Sequence, residues 1–117
     1  MQLSEQQAYN RSLIEASADA LFAVAPDGTI TDVNEEATHI TGYSRKHLIN
    51  SKFSEYFTEP DRARDGVEKT LKESRVLGYE LVLKTRQGRR ITVSFNAGIF
   101  TDAAGFPLGA LAARLPE

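Results

Sequence analysis

The sequence has no cysteine and no tryptophan, and a single methionine in 117 residues. Without cysteine there is no disulfide, no thiolate zinc site, no cysteine nucleophile and no flavin–cysteine photochemistry. No apolar run approaches the ~20 residues that a membrane-spanning helix needs. The opening Met1-Gln2-Leu3-Ser4-Glu5-Gln6-Gln7 is polar and lacks the apolar centre of a signal peptide. Positive charge is not in excess, since 14 Lys and Arg face 16 Asp and Glu for a net charge of −2. A chain with that balance carries no electrostatic footprint for nucleic acid. The basic pairs Arg45-Lys46 and Arg89-Arg90 are short and read as solvated surface charge. Internal repeats and low-complexity stretches are missing as well. What is left is the expectation of one soluble, cytoplasmic domain. A hydrophobic content of 41% is enough for one core in a chain of this length.

The pattern along the chain begins helical. Residues 3–18 are rich in Gln, Glu, Ala and Leu, with a thin apolar face, so this helix should lean on the domain or on a partner. Leu21 to Ala25 reads as a strand, and Pro26-Asp27-Gly28 follows it. Asp-Gly between apolar runs marks a hairpin, because the tight turn needs a positive φ. Thr29 to Val33, with three β-branched residues in five, is the returning strand. Asn34 is placed to cap a helix whose first turn holds Glu35 and Glu36, and Gly42 to end it. Ser44 caps a second short helix from Arg45 to Ile49, and Phe53, Tyr56 and Phe57 belong to one helical turn that plugs the core. Pro60 and Asp61 open a long helix through residue 74, with Ala63, Val67 and Leu71 on one face and Gly66 in its middle, where close packing would explain it.

From Val76 the period changes to two. Tyr79 to Leu83 is a strand with Tyr79, Leu81 and Leu83 on one face, and Arg86-Gln87-Gly88-Arg89 is a turn. Ile91, Val93, Phe95, Ala97 and Ile99 alternate with Thr92, Ser94, Asn96 and Gly98, and Asp102-Ala103-Ala104-Gly105 turns the chain into a last strand from Leu108 to Leu115. In that strand either Ala110, Ala112 and Arg114 or Leu111, Ala113 and Leu115 face inward. The expected fold is α+β, a five-stranded antiparallel sheet with helices on one face and an N-terminal flanking helix. The flanking helix takes residues 1–17 and the domain 18–117.

Six short features in this order resemble the PAS family of sensory-box signalling modules, from about Ala18 to Leu115. They are the hairpin around Asp27-Gly28, Asn34 followed by Ala37, Gly42-Tyr43-Ser44 with Leu48, Pro60-Asp61-Arg62, Gly88 between two strands, and the turn at Asp102 and Gly105. The chain departs from the family pattern at Asn50-Ser51, where a glycine is usual, and at Leu115-Pro116-Glu117, where an Asp-Ile-Thr-like step often leads to an output helix.

The resemblance implies a small-molecule pocket between the sheet and the helices, lined by Ile40, Tyr43, Phe53, Phe57, Val67, Leu71, Leu81, Val93, Phe95, Ala97, Ala112 and Arg114. It favours the Ala110, Ala112, Arg114 set as inward, which makes Arg114 an anion contact at the rim; otherwise Arg114 snorkels to solvent. The resemblance also implies a homodimer formed through the N-terminal helix. The output domain would lie in the same parent protein, as a histidine kinase, a cyclic-dinucleotide enzyme or a transcription regulator of a bacterial two-component or related system. Haem is disfavoured because residues 60–74 contain no histidine, and His39 and His47 lack a third ligand nearby. Cysteinyl flavin is excluded by composition, and non-covalent flavin stays open. An enzyme is not expected, since no nucleophile–base pair sits in a recognisable turn and there is no phosphate loop. Two functions compete: a sensor with an enclosed ligand chamber of a few hundred Å³, and a ligand-free dimerisation module whose aromatic side chains fill the core.

Overall fold

Strands β1 (Ala20–Val24) and β2 (Ile30–Val33) form the expected hairpin in the computed structural model, which describes residues 19–101 and 107–114. Gly28 takes φ 91° and donates its N–H to Ala25 O at 2.8 Å, while Ala25 N–H donates to Thr29 O at 2.8 Å. The Asp27 carboxylate accepts the Thr29 N–H at 3.0 Å. That amide, then the Thr29 side chain and the charge of Lys52, hold the Asp27 carboxyl below the usual carboxylate range. The proposed helix over residues 3–18 and the turn at Asp102 to Gly105 lie outside the described residues.

Asn34 does more than cap. Its Oδ1 accepts the Ala37 N–H at 3.0 Å at the start of helix α1 (Glu35–Thr41), and also the Leu21 N–H at 2.9 Å. Its Nδ2 donates to Asp19 O at 2.7 Å, so one buried side chain ties the first helix to the beginning of β1. Gly42 closes α1 at φ 80°, with its N–H on Thr38 O at 2.9 Å. Helix α2 (Arg45–Leu48) is capped by Ser44, whose Oγ accepts the His47 N–H at 3.1 Å. Asn50 follows at φ 71°. Asparagine tolerates this left-handed conformation better than most residues, and it stands here where the resembled family places glycine.

Phe53–Tyr56 is a 3-10 turn rather than an α-helical one. Helix α3 (Pro60–Glu73) begins with proline in its first turn and ends on Ser74 at φ 70°, with the Ser74 N–H on Thr70 O at 2.7 Å. Strands β3 (Arg75–Lys84), β4 (Arg90–Thr101) and β5 (Pro107–Arg114) complete one antiparallel sheet in the order β2-β1-β5-β4-β3. β3 begins four residues before the Tyr79 start read from the sequence. A register shift between Val76 and Tyr79 breaks its alternation, with Gly78 at φ 65° donating its N–H to Asn96 Oδ1 at 2.9 Å. The inner face carries Phe22, Val24, Leu81, Leu83, Val93, Phe95 and Ala97. These pack against Ala37, Leu48, Phe53, Phe57, Ala63 and Val67 from the helical segments.

Candidate functional site

The expected chamber between α3 and the sheet is occupied by rings. Phe53 comes from the 3-10 turn and is fully buried, with ring centroids 5.5 Å from Phe22, 4.8 Å from Phe57 and 5.5 Å from Phe95. Phe57 and Phe95 meet at 5.7 Å and Phe22 and Phe95 at 6.2 Å, so β1, β4 and the 3-10 turn share one aromatic cluster. Among the described residues, what remains under α3 is a crevice of about 10 Å³ lined by Phe53, Ala63, Gly66, Thr70, Val76, Tyr79, Leu81, Phe95 and Ala97. That is room for one water at most.

Tyr79 closes the open side of this crevice. Its hydroxyl donates to Arg62 O at 2.8 Å. The Arg62 guanidinium lies 4.8 Å from the ring centroid, and Arg62 Nε donates to Glu80 O at 2.9 Å. The ring lies so close to the helix that a Cβ built on Gly66 would stand 2.8 Å from Tyr79 Cε2. Gly66 is therefore explained by close packing, as its mid-helix position suggested.

Of the expected pocket residues, Phe53, Leu81, Phe95 and Ala97 meet around the crevice. Phe57, Val67 and Val93 are buried beside it, while Ile40, Tyr43 and Leu71 pack half-buried on the rim of the core. Tyr43 stacks on His47 at 4.5 Å and meets Tyr56 edge-on at 5.2 Å, and the Tyr56 hydroxyl lies 2.6 Å from Ser51 Oγ. Burial pushes the Tyr56 phenol up from its ordinary value, against the opposing hydrogen bond to Ser51.

The placement of Ala112 and Arg114 requires correction. Register aligns Ala113 with Phe95 and Leu111 with Ala97, whereas Ala112 and Arg114 align with Asn96 and Ser94. Directly paired residues of an antiparallel sheet share a face. The inward set of β5 is thus the one containing Ala113, which is buried, and not the one the resemblance favoured.

A second concavity lies outside the aromatic cluster. It is a cleft of about 510 Å³, open to solvent, between the β1–β2 turn, the 3-10 turn and α3. Its lining is Pro26, Asp27, Gly28, Lys52, Phe53, Ser54, Glu55, Pro60, Arg64, Val67 and Glu68. Phe53 and Val67 alone were among the expected pocket residues. Pro60, Arg64, Val67 and Glu68 fall at i, i+4, i+7 and i+8, so the helical stripe was visible in the sequence. The opposing wall was not, because it depends on contacts across the chain. Phe53 N–H donates to Gly28 O at 2.9 Å, and Lys52 Nζ donates to Asp27 O at 3.0 Å. Among the described residues no group of three or more His, Asp or Glu is placed to hold a metal ion. No described helix is long and apolar enough to cross a membrane.

A family profile described as the PAS fold matches residues 8–113. The chain belongs to the PAS family. No curated protein matches it by sequence. Solved PAS domains overlay it closely. That of an HTR-like protein from Haloarcula marismortui has 20% identity and a TM-score of 0.74, covering 88% of this chain and 90% of that one. A domain of a sensory box sensor histidine kinase/response regulator from Geobacter sulfurreducens has 20% identity and a TM-score of 0.70, covering 87% and 88%. The PAS domain of nitrogen regulation protein NR(II) from Vibrio parahaemolyticus has 11% identity and a TM-score of 0.71, covering 90% and 95%. At these identities the likeness is one of fold.

Proposed function

We propose that this PAS domain is a cytoplasmic, non-catalytic regulatory module of a larger signal-transduction protein that works through protein contacts. It pairs with a second copy of itself through the segment before β1 and passes its state to an output domain of the same parent. The similar domain of a sensory box sensor histidine kinase/response regulator supports a kinase as that output. A cyclic-dinucleotide enzyme or a transcription regulator would be served by the same module.

The observation that carries this reading is the crevice of about 10 Å³ beneath α3. A small-molecule chamber needs some hundreds of Å³. To hold a ligand there, Phe53 and Phe95 would have to leave the aromatic cluster in which they are packed, or Tyr79 its place against α3. Native and denatured mass spectra of the full chain, purified without added ligand, test the reading. The expected result is a dimeric mass equal to twice the bare chain. A stoichiometric extra mass lost on denaturation, whose ligand when added back shifts the amides of Gly66 and Tyr79, would overturn the filled interior, and a strictly monomeric species at micromolar concentration would overturn self-pairing.

A further inference from the structure

The open cleft has the size of a ligand site, about 510 Å³, and its chemistry is divided. Pro26, Phe53, Pro60 and Val67 give it apolar walls. At one side is Ser54, only 9% exposed, whose side chain has one polar contact, a long 3.5 Å approach from Arg64 Nη1. The Ser54 hydroxyl proton has no acceptor among the described residues. A buried hydroxyl without an acceptor is costly, and this one lines a cavity. Arg64 is otherwise held by Asp61, whose side chain is 91% exposed. Such surface pairs are weak, and a guanidinium has donors to spare.

The opposite charge stands one helical turn away. Glu68 is about 6 Å along the same face of α3, and neither it nor Glu55 forms an ion pair among the described residues. Lys52, by contrast, is engaged by Asp27, with Nζ 3.6 Å from the carboxylate. A dianion would meet Asp27, Glu55 and Glu68, and a simple cation would leave Ser54 and Arg64 unmatched. We propose that the cleft binds a small zwitterion with an apolar side chain, an apolar α-amino acid. The carboxylate accepts from Ser54 and Arg64, the ammonium faces Glu68 and Glu55, and the side chain lies between the exposed Pro26 and Pro60, above the buried Phe53. This site goes beyond the function proposed above and needs neither an open interior nor a partner. Beneath its occupant lies Phe53, whose ring meets Phe22 of β1 and Phe95 of β4.

The test is a titration of the isotope-labelled 117-residue chain, followed by amide shifts, with L-phenylalanine, N-acetylphenylalanine and phenylalaninamide as probes. Phenylalanine should give saturable shifts at Gly28, Ser54, Arg64 and Glu68. Each capped probe should bind about tenfold more weakly, the worth of one charge-assisted hydrogen bond. Arg64→Gln should weaken phenylalanine by a similar factor and erase the penalty for phenylalaninamide. Glu68→Gln should do the same for the acetylated probe. Both side chains are exposed, so both variants fold. Equal binding of all three probes would reduce the cleft to an apolar slot and overturn the proposal. So would the lack of a saturable shift up to about 20 mM, a concentration above the weakest useful affinity. Shifts centred on Gly66 and Tyr79 would overturn it too, and would also move the ligand into the interior and sink the filled-core reading.

Discussion

Gly66→Ala is the substitution whose sign depends most directly on the packing between α3 and β3. In an isolated helix the change stabilises by about 1 kcal/mol, because alanine loses less backbone entropy. Here the new Cβ would lie 2.8 Å from Tyr79 Cε2 and 3.1 Å from Cδ2. The ring cannot retreat freely, since its hydroxyl is fixed on Arg62 O at 2.8 Å and Arg62 covers its face. Overpacking of this kind costs about 1–3 kcal/mol. The net expectation is a loss of about 1 kcal/mol, or about 4 °C in Tm for a chain of this size. In a Tyr79→Ala background the obstacle is gone, and the same substitution should stabilise by about 1 kcal/mol. The two backgrounds therefore differ by about 2 kcal/mol, within the range of direct side-chain coupling. Urea denaturation of the four proteins measures it. If Gly66→Ala stabilises the wild type, or if its effect is the same in both backgrounds, the ring does not constrain the helix.

Asn34→Ala should cost about 1–3 kcal/mol in the same assay, as a lost cap together with a partly buried Leu21 N–H left without its acceptor; a loss below about 0.5 kcal/mol would deny Asn34 its stapling role. Ser74→Gly should stabilise by about 0.5–1 kcal/mol, because Ser74 ends α3 at φ 70°, where a Cβ is strained; a loss would reveal a side-chain contribution at that cap. The Tyr56 phenol is raised above its ordinary 10.0 by burial. Stability linked to it is therefore complete below the unfolded value and declines as pH climbs from about 10 through the folded value. Wild type should lose more stability than Tyr56→Phe between about pH 9 and about pH 11, and parallel losses would refute the linkage.

Several elements were legible because a single residue type decides them. Asp27-Gly28 marked the hairpin, Asn34 and Ser44 marked caps, Gly42 a helix end, Pro60 a helix start, and the strict alternation through Val93, Phe95 and Ala97 a one-sided strand. Where the sequence misled, the local signal was degenerate. Gly109-Ala110-Leu111-Ala112-Ala113 has no contrast between its two faces, so periodicity left both orientations open, and only pairing with β4 resolves them. The Val76–Tyr79 bulge hid the start of β3, because an inserted residue resets the period. The cleft was invisible for a different reason. Its walls are joined by Lys52 reaching Asp27 across 25 residues, a contact that no window of sequence contains.

The relaxed local rules gather around one side chain. Gly66 weakens α3, Gly78 takes a positive φ, and β3 loses its register between Val76 and Tyr79. Each departs from what helix or strand propensity favours, and all three flank the Tyr79 ring. Natural sequences tolerate such local conflicts where a global requirement outweighs them. That requirement here is closure of the crevice beneath α3. With Tyr79 on one side and Phe53 on the other, the volume in which a ligand was expected is filled, and the open cleft lies outside it. Phe53 belongs to both. A molecule in the cleft would then act on the sheet only by displacing Phe53 against Phe22 and Phe95. The same aromatic contact that leaves the interior full would also be the mechanical link between the outer wall and the central strands.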